Sequence, residues 1–227
     1  LFEEKVFKIR DFELSINIED ESSKINVNKI IDEKGKTNTL LYEITKNLFS
    51  ILGYSPSLLD YFLDWIDEDS IPRPFGGEDF TYTINGFNYT PPNRNILVLR
   101  EILLINGYTK EILYGNEEKK GLINFITIYT DGKININTCK GEILNSMGFT
   151  KEQVSKILEE REIHPLDEGF LININRDVFL KNRSLIKYKS NYFHVLVKVK
   201  NKEGEEAKNQ AILEKEKTVN FIKKGIL

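Results

Sequence analysis

Phe12-Glu13-Leu14-Ser15-Ile16-Asn17-Ile18-Glu19 alternates apolar and polar residues with a period of two, the pattern of a strand with one buried face. A second such run lies far off, where Phe193, Val195, Val197 and Val199 alternate with His194, Leu196, Lys198 and Lys200. The polar turn Asn201-Lys202-Glu203-Gly204-Glu205 follows, so residues 210–213 can return as a hairpin, and residues 218–221 add a further strand. The two ends of the chain therefore predict one antiparallel sheet, separated in sequence by a helical middle. The fold class is α+β. Residues 1–30 and 178–227 form the sheet domain, and residues 31–177 form an inserted helical domain.

The middle carries an internal repeat. Gly53-Tyr54-Ser55, Gly107-Tyr108-Thr109 and Gly148-Phe149-Thr150 each follow an apolar helical stretch and precede another helical pattern. Glycine suits a helix C-terminus, where a left-handed residue is needed. The hydroxyl residue then caps the next helix, and Thr150 with Gln153 makes a capping box. A second echo is Ile25-Asn26-Val27-Asn28, Ile134-Asn135-Ile136-Asn137 and Leu171-Ile172-Asn173-Ile174-Asn175, whose amides are suited to bond turns and helix starts.

Between Asp60 and Asp79 stand seven acidic residues and one basic residue, Arg73. Crowded carboxylates repel, and solvent, a paired cation or a bound metal relieves them. Two prolines and two glycines fix this backbone, and an apolar pattern (Leu58, Leu59, Phe62, Leu63, Ile66) anchors its start on a helix. A rigid, oxygen-rich loop is what a hard divalent cation needs. With Asp67 as position one, Asp69 and Glu78 fall at positions three and twelve, as in a calcium-binding EF-hand. Pro72 stands where that loop has its turn glycine, and Phe80-Thr81-Tyr82-Thr83 reads as extended chain. This is a calcium loop of another design or a solvated acidic turn. The candidate ligands are Asp67, Asp69, the Ile71 carbonyl, Glu78, Asp79 and Asn93, within an acidic segment spanning 64–94.

Other chemistry is sparse. The net charge of −3 gives no drive towards nucleic acid, and residues 140–162 hold four basic and five acidic side chains. The hairpin around Gly148, with Ile143, Leu144, Val154, Ile157 and Arg161, is similar to helix-hairpin-helix DNA-binding motifs, but its charge favours a structural role. His164 and His194 lie near no nucleophile motif, so no catalytic residue is assigned and no small-molecule substrate is expected. Cys139, the one cysteine, is read as a buried thiol, and Trp65 as core. No apolar stretch approaches the roughly 18 residues of a bilayer span, and no segment reads as a signal peptide. The chain opens at Leu1 without an initiator Met, so a fragment is expected.

One resemblance gathers these features. Ile25-Asn26-Val27-Asn28, Asp64-Trp65-Ile66-Asp67-Glu68-Asp69, Pro72, Gly77-Glu78-Asp79, Tyr82, Pro91-Pro92-Asn93, Leu99-Arg100-Glu101-Ile102, Asn106-Gly107 and Ile134-Asn135-Ile136-Asn137-Thr138 follow in order. From about residue 22 to 175 the chain resembles the K-type minor pseudopilins of the type II secretion system. Cys139 and the divergent stretch 110–132 depart from that pattern. The resemblance implies a pilin-like sheet interrupted by a helical domain, calcium as structural cofactor, and a non-enzymatic place at the pseudopilus tip with I-type and J-type minor pseudopilins. It also implies a periplasmic domain whose N-terminal helix anchors it in the inner membrane. A type IV pilus minor pilin and a helix-hairpin-helix DNA-binding protein are the alternatives.

Overall fold

The computed structural model describes residues 4–32, 34–215 and 219–226. In chain order it forms strands β1 (Lys5–Ile9), β2 (Phe12–Asp20) and β3 (Ile25–Asn26), then helices α1 (Thr39–Ile51), α2 (Leu58–Ile66), α3 (Asp79–Ile84) and α4 (Lys110–Tyr114). Short strands β4 (Ile126–Thr127) and β5 (Ile134–Asn135) precede helices α5 (Gly141–Ser146), α6 (Lys151–Ile163) and α7 (Glu168–Asn182). Strands β6 (Ile186–Lys187), β7 (Tyr192–Asn201), β8 (Glu206–Lys215) and β9 (Val219–Ile226) complete the chain.

Five of these strands make one antiparallel sheet in the order β1-β2-β7-β8-β9. The expected β2, β7 and returning hairpin are present. The last strand runs to Ile226, and Thr218 lies outside the described residues. Register sets Leu14 opposite Val199, Ile16 opposite Val197 and Ile18 opposite Val195, so the two apolar runs share one face. The alternation did not reveal β1, an edge strand with Val6, Phe7 and Ile9 all exposed. It reaches β2 through Arg10, whose φ of 55° closes the turn.

The sheet joins the helical region through a buried polar knot. Asp20, the last residue of β2, is buried. Its Oδ1 accepts from the Ser22 amide at 2.8 Å. Its Oδ2 accepts from Asn135 Nδ2 at 3.2 Å and from the hydroxyls of Thr138 and Ser190. Beside it, buried Lys24 pairs with Glu19 at 3.0 Å and Glu21 at 2.9 Å. Two parallel bridges, β3 with β4 and β5 with β6, fasten the entry and exit of the insertion. Asn28 adds a side-chain imitation of strand pairing, donating to the Ile96 carbonyl and accepting from the Ile96 amide, each at 2.9 Å.

Gly53, Gly107 and Gly148 all take positive φ, so the three expected turns close through left-handed glycines. Thr109 caps α4, and Thr150 with Gln153 forms the capping box of α6. Ser55 does not cap α2. Pro56 and Ser57 intervene, and its hydroxyl pairs with that of Ser57 at 2.7 Å. The Ile-Asn echo holds in its bonding but not in its backbone. Asn26 and Asn135 end short strands and accept from amides two residues on, at 3.0 and 3.1 Å. The third copy is helical, within α7, and breaks at Asn175, whose side chain caps Val178 at 3.1 Å.

The extended reading of residues 80–83 is corrected by α3. The Thr81 and Tyr82 amides both bond to the Glu78 carbonyl, at 2.8 and 3.2 Å, and open a helical turn. That turn buries Tyr82 completely while Phe80 stays exposed. Packing of one aromatic overrides the strand preference of Phe, Thr and Tyr.

Asp20→Ala should leave four buried or half-buried donors without this acceptor and cost about 3 kcal/mol or more. Urea unfolding checks this, and a loss within about 0.5 kcal/mol would show that the knot is solvated rather than structural.

Candidate metal centre

Helix α2 builds one wall of the site. Leu59, Phe62, Leu63 and Ile66 face the core, and Asp60, Asp64 and Asp67 recur at one-turn spacing. All three carboxylates are buried: Asp64 is 0% exposed and Asp67, the C-cap, is 3% exposed. The core side is an aromatic cluster. Trp65 stacks at a tilt on Tyr82, with ring centroids 5.7 Å apart, and donates Nε1 to Glu101 at 3.1 Å.

The loop after α2 folds back over these acids. Phe75 donates its amide to Asp60 Oδ2 at 3.2 Å, and Arg73 donates its amide to Asp64 Oδ2 at 3.1 Å. Arg73 Nη1 lies 2.6 Å from Asp64 Oδ1 and also pairs with Asp67 Oδ2. Gly76 closes a turn onto the Arg73 carbonyl at 3.0 Å. A side chain at Gly76 would collide with the Asp64 carboxylate, so this approach requires glycine. Glu78 then enters ahead of α3, 6% exposed.

Asp64, Asp67 and Glu78 thereby bring one carboxylate oxygen each within 4.8 Å of the others. Two of these acids hold buried oxygens without a hydrogen-bond partner among the described residues: Asp67 Oδ1 and Glu78 Oε1. A third such oxygen is Asn93 Oδ1. Asn93 sits at φ 48° and donates Nδ2 to the Asp69 carbonyl at 3.2 Å. With Asp67 it lines an open cleft of about 710 Å³.

The electrostatics follow from burial. Glu78 is pushed up to about 7 by loss of solvent, then by the charges of Asp64, Asp67, Asp69 and Asp79. Burial also raises Asp64 and Asp67, outweighing their bonds to Arg73. Three oxygen-bearing side chains held apart from water against their charge fit a hard cation. Neither sulfur nor imidazole belongs to the group, so soft metals are disfavoured.

Of the residues expected from sequence, Asp67, Glu78 and Asn93 carry the buried unpartnered oxygens. Asp69 and Asp79 are exposed. Asp69 Oδ1 is engaged by the Ile71 amide at 2.8 Å, and the Ile71 side chain is 75% exposed. Asp64, outside the set expected from sequence, joins the buried carboxylates through its three-residue spacing from Asp67 on one helix face, with both its oxygens engaged by Arg73. A second acidic group, Glu19, Glu21 and His194, differs in kind, because Lys24 pairs with both glutamates and Gln210 engages His194 at 3.0 Å. Cys139 is buried, its thiol pushed up to about 12 by desolvation. Arg161 donates to the Cys139 carbonyl at 2.6 Å.

The architecture is thus an antiparallel sheet interrupted by a helical region that carries a buried acidic centre. Residues 23–115, which include this centre, match the family model for type II secretion system (T2SS) protein K. The whole chain superposes on a chain of the crystal structure of the GspK-GspI-GspJ complex from enterotoxigenic Escherichia coli type 2 secretion system. The TM-score is 0.77 at 15% identity, over 100% of this chain and 84% of that one. No curated protein matches the sequence. Together the matches bear out the resemblance to K-type minor pseudopilins of type II secretion. Among the described residues no helix is long and apolar enough to cross a membrane.

The raised Glu78 fixes a pH dependence for the metal-free protein. The folded state holds this proton more tightly than the unfolded chain, whose glutamate titrates near its ordinary 4.5. Stability present below about pH 4.5 is therefore lost as pH rises through 7, by about 3 kcal/mol at most. In chelator, Glu78→Gln should be more stable than the unsubstituted chain at pH 8 and equal to it at pH 4. Urea midpoints at the two pH values check this, and equal stability at pH 8 would contradict it.

Proposed function

We propose that this chain is a non-enzymatic minor pseudopilin that works at the tip of a type II secretion pseudopilus and carries a structural calcium ion. The observation that carries the metal is the set of three buried, unpartnered oxygens on Asp67, Glu78 and Asn93. They fit calcium: all are oxygen, they come from carboxylates and an amide, and they are held at the end of α2, at the start of α3 and in the segment after α3. The remaining positions fall to the loop's carbonyls, with Ile71 the first candidate, to Asp69 and Asp79, and to water. Calcium would supply positive charge to a buried acidic set, and so tie the 68–78 loop to α2 and α3.

The assembly reading rests on the family match and the fold. The structural match is to a complex of GspK with GspI and GspJ, and I-type and J-type minor pseudopilins are accordingly the partners proposed here. A pilin-like sheet needs a helix on its apolar face, and Leu14, Ile16 and Ile18 with Val195, Val197 and Val199 offer half-buried positions for one. That reading makes the chain a periplasmic domain anchored in the inner membrane. The large insertion between β2 and β7 suits a terminal place in a filament better than a repeating one. The glycine turns at 53, 107 and 148 serve as helix-hairpin-helix-like packing units. Arg161, spent on the Cys139 carbonyl, supports this over nucleic-acid binding.

Calcium at a hundredfold excess over its dissociation constant should stabilise the fold by about 2.7 kcal/mol, or roughly 5–10 °C in Tm for a chain of this size. Asp67→Ala and Glu78→Ala should each abolish that increment. An unchanged Tm with and without chelator would reduce the site to a solvated acidic turn. Separately, the chain should run as a monomer alone and co-elute with I-type and J-type partners in size-exclusion chromatography. Self-assembly into filaments would argue against the tip.

A further inference from the structure

The acidic centre contains its own cation, and its placement divides the carboxylate oxygens into two groups. Arg73 occupies one group: Nη1 bridges Asp64 Oδ1 and Asp67 Oδ2, and its amide engages Asp64 Oδ2. The other group, Asp67 Oδ1 and Glu78 Oε1 with the amide oxygen Asn93 Oδ1, has no hydrogen-bond partner among the described residues. No atom belongs to both. Asp67 alone spans the division, with one oxygen on each side. The guanidinium is held through Nη1, which bridges the two carboxylates, and through its own backbone, since Gly76 turns onto the Arg73 carbonyl and admits the loop against Asp64. A side chain held from both ends is poorly suited to leave when a metal arrives.

We propose that Arg73 is a permanent second cation of the calcium site, a positioning residue that keeps Asp64 out of the coordination set and fixes the charge the metal meets. The inference rests on the calcium reading above. Asp64, Asp67 and Glu78 bring three negative charges when ionised, and Arg73 returns one positive charge. The three converging acids with Arg73 stand at −2, the value that a divalent ion neutralises; buried Asp60 lies outside them, its Oδ2 accepting from the Phe75 amide. Asp69 and Asp79 are exposed, and their charges act on Glu78 less than those of Asp64 and Asp67. Charge, and not only oxygen geometry, then discriminates between ions of similar size: a trivalent lanthanide would leave the buried site with an excess of +1.

The test compares calcium and terbium binding by calorimetry on the purified chain after chelation. Arg73→Gln should raise the terbium-to-calcium affinity ratio by about tenfold or more, because the set becomes −3 at short range in a poorly screened site. Arg73→Lys should keep the original ratio. The double variant Asp64→Asn with Arg73→Gln returns the set to −2 and should restore it. Asp64→Asn alone should lower the ratio, so its contrast with the double variant carries the test even if Arg73→Gln alone fails to fold. A ratio unchanged by removal of Arg73 overturns the proposal. Both ions weakened equally would make Arg73 only a structural clamp, and both tightened equally would make it a competitor that the metal displaces. If the unsubstituted chain binds neither ion, the calcium reading itself falls and this proposal with it.

Discussion

The fold depends on one buried carboxylate, Asp20, where the sheet ends and the helical region begins. It accepts from groups on three separate segments: Ser22 just after β2, Asn135 and Thr138 at and beyond β5, and Ser190 just before β7. A carboxylate satisfied by four donors in a dry place is bound far more firmly than any one of them alone would hold it. Among the described residues the main hydrophobic core cluster includes none from β1, β2, β7 or β8. The relative position of sheet and insertion is set by this directional polar knot and the neighbouring Lys24 pairs.

The acidic centre answers the same physical problem in the opposite way. At Asp20 the protein supplies every partner for the charge. At Asp67 and Glu78 it supplies some and leaves buried oxygens without one. Both arrangements sit on rigid supports: strand ends and amide rungs in one case, α2 and its aromatic backing in the other. The difference is the charge balance, since one acid is surrounded by neutral donors while, of three crowded acids, a single arginine pairs with Asp64 and Asp67.

The sequence exposed the parts governed by local rules. Period-two runs located β2 and β7, the polar turn at 201–205 pointed to the returning β8, glycines marked three left-handed turns, and Thr150 with Gln153 gave a helix start. Asp67, Glu78 and Asn93, expected from the density of acids and the stiff backbone around them, are residues whose oxygens the fold buries without a partner among the described residues. Parts decided by distant contacts were hidden. Asp64 reads as one more polar position on a helix until the 72–77 loop returns over it. Residues 80–83 have the composition of a strand, and only the pocket that takes Tyr82 makes them a helix. Edge strand β1 has neither a buried face nor a clean alternation to betray it.

The pairing of β2 with β7 has a consequence for the order in which the chain folds. Asp20 and Phe193 stand opposite each other in the sheet yet roughly 170 residues apart in sequence. Closing so long a loop in an open coil carries an entropic penalty that grows with the logarithm of its length, and contacts this distant slow folding. The short parallel bridges reduce the distance from within: once β3 meets β4 and β5 meets β6, the ends of the insertion are already neighbours. The topology therefore favours a sequence of events in which the helical region condenses first and presents two strands to each other. The central strand pair of the sheet becomes the last seam to close.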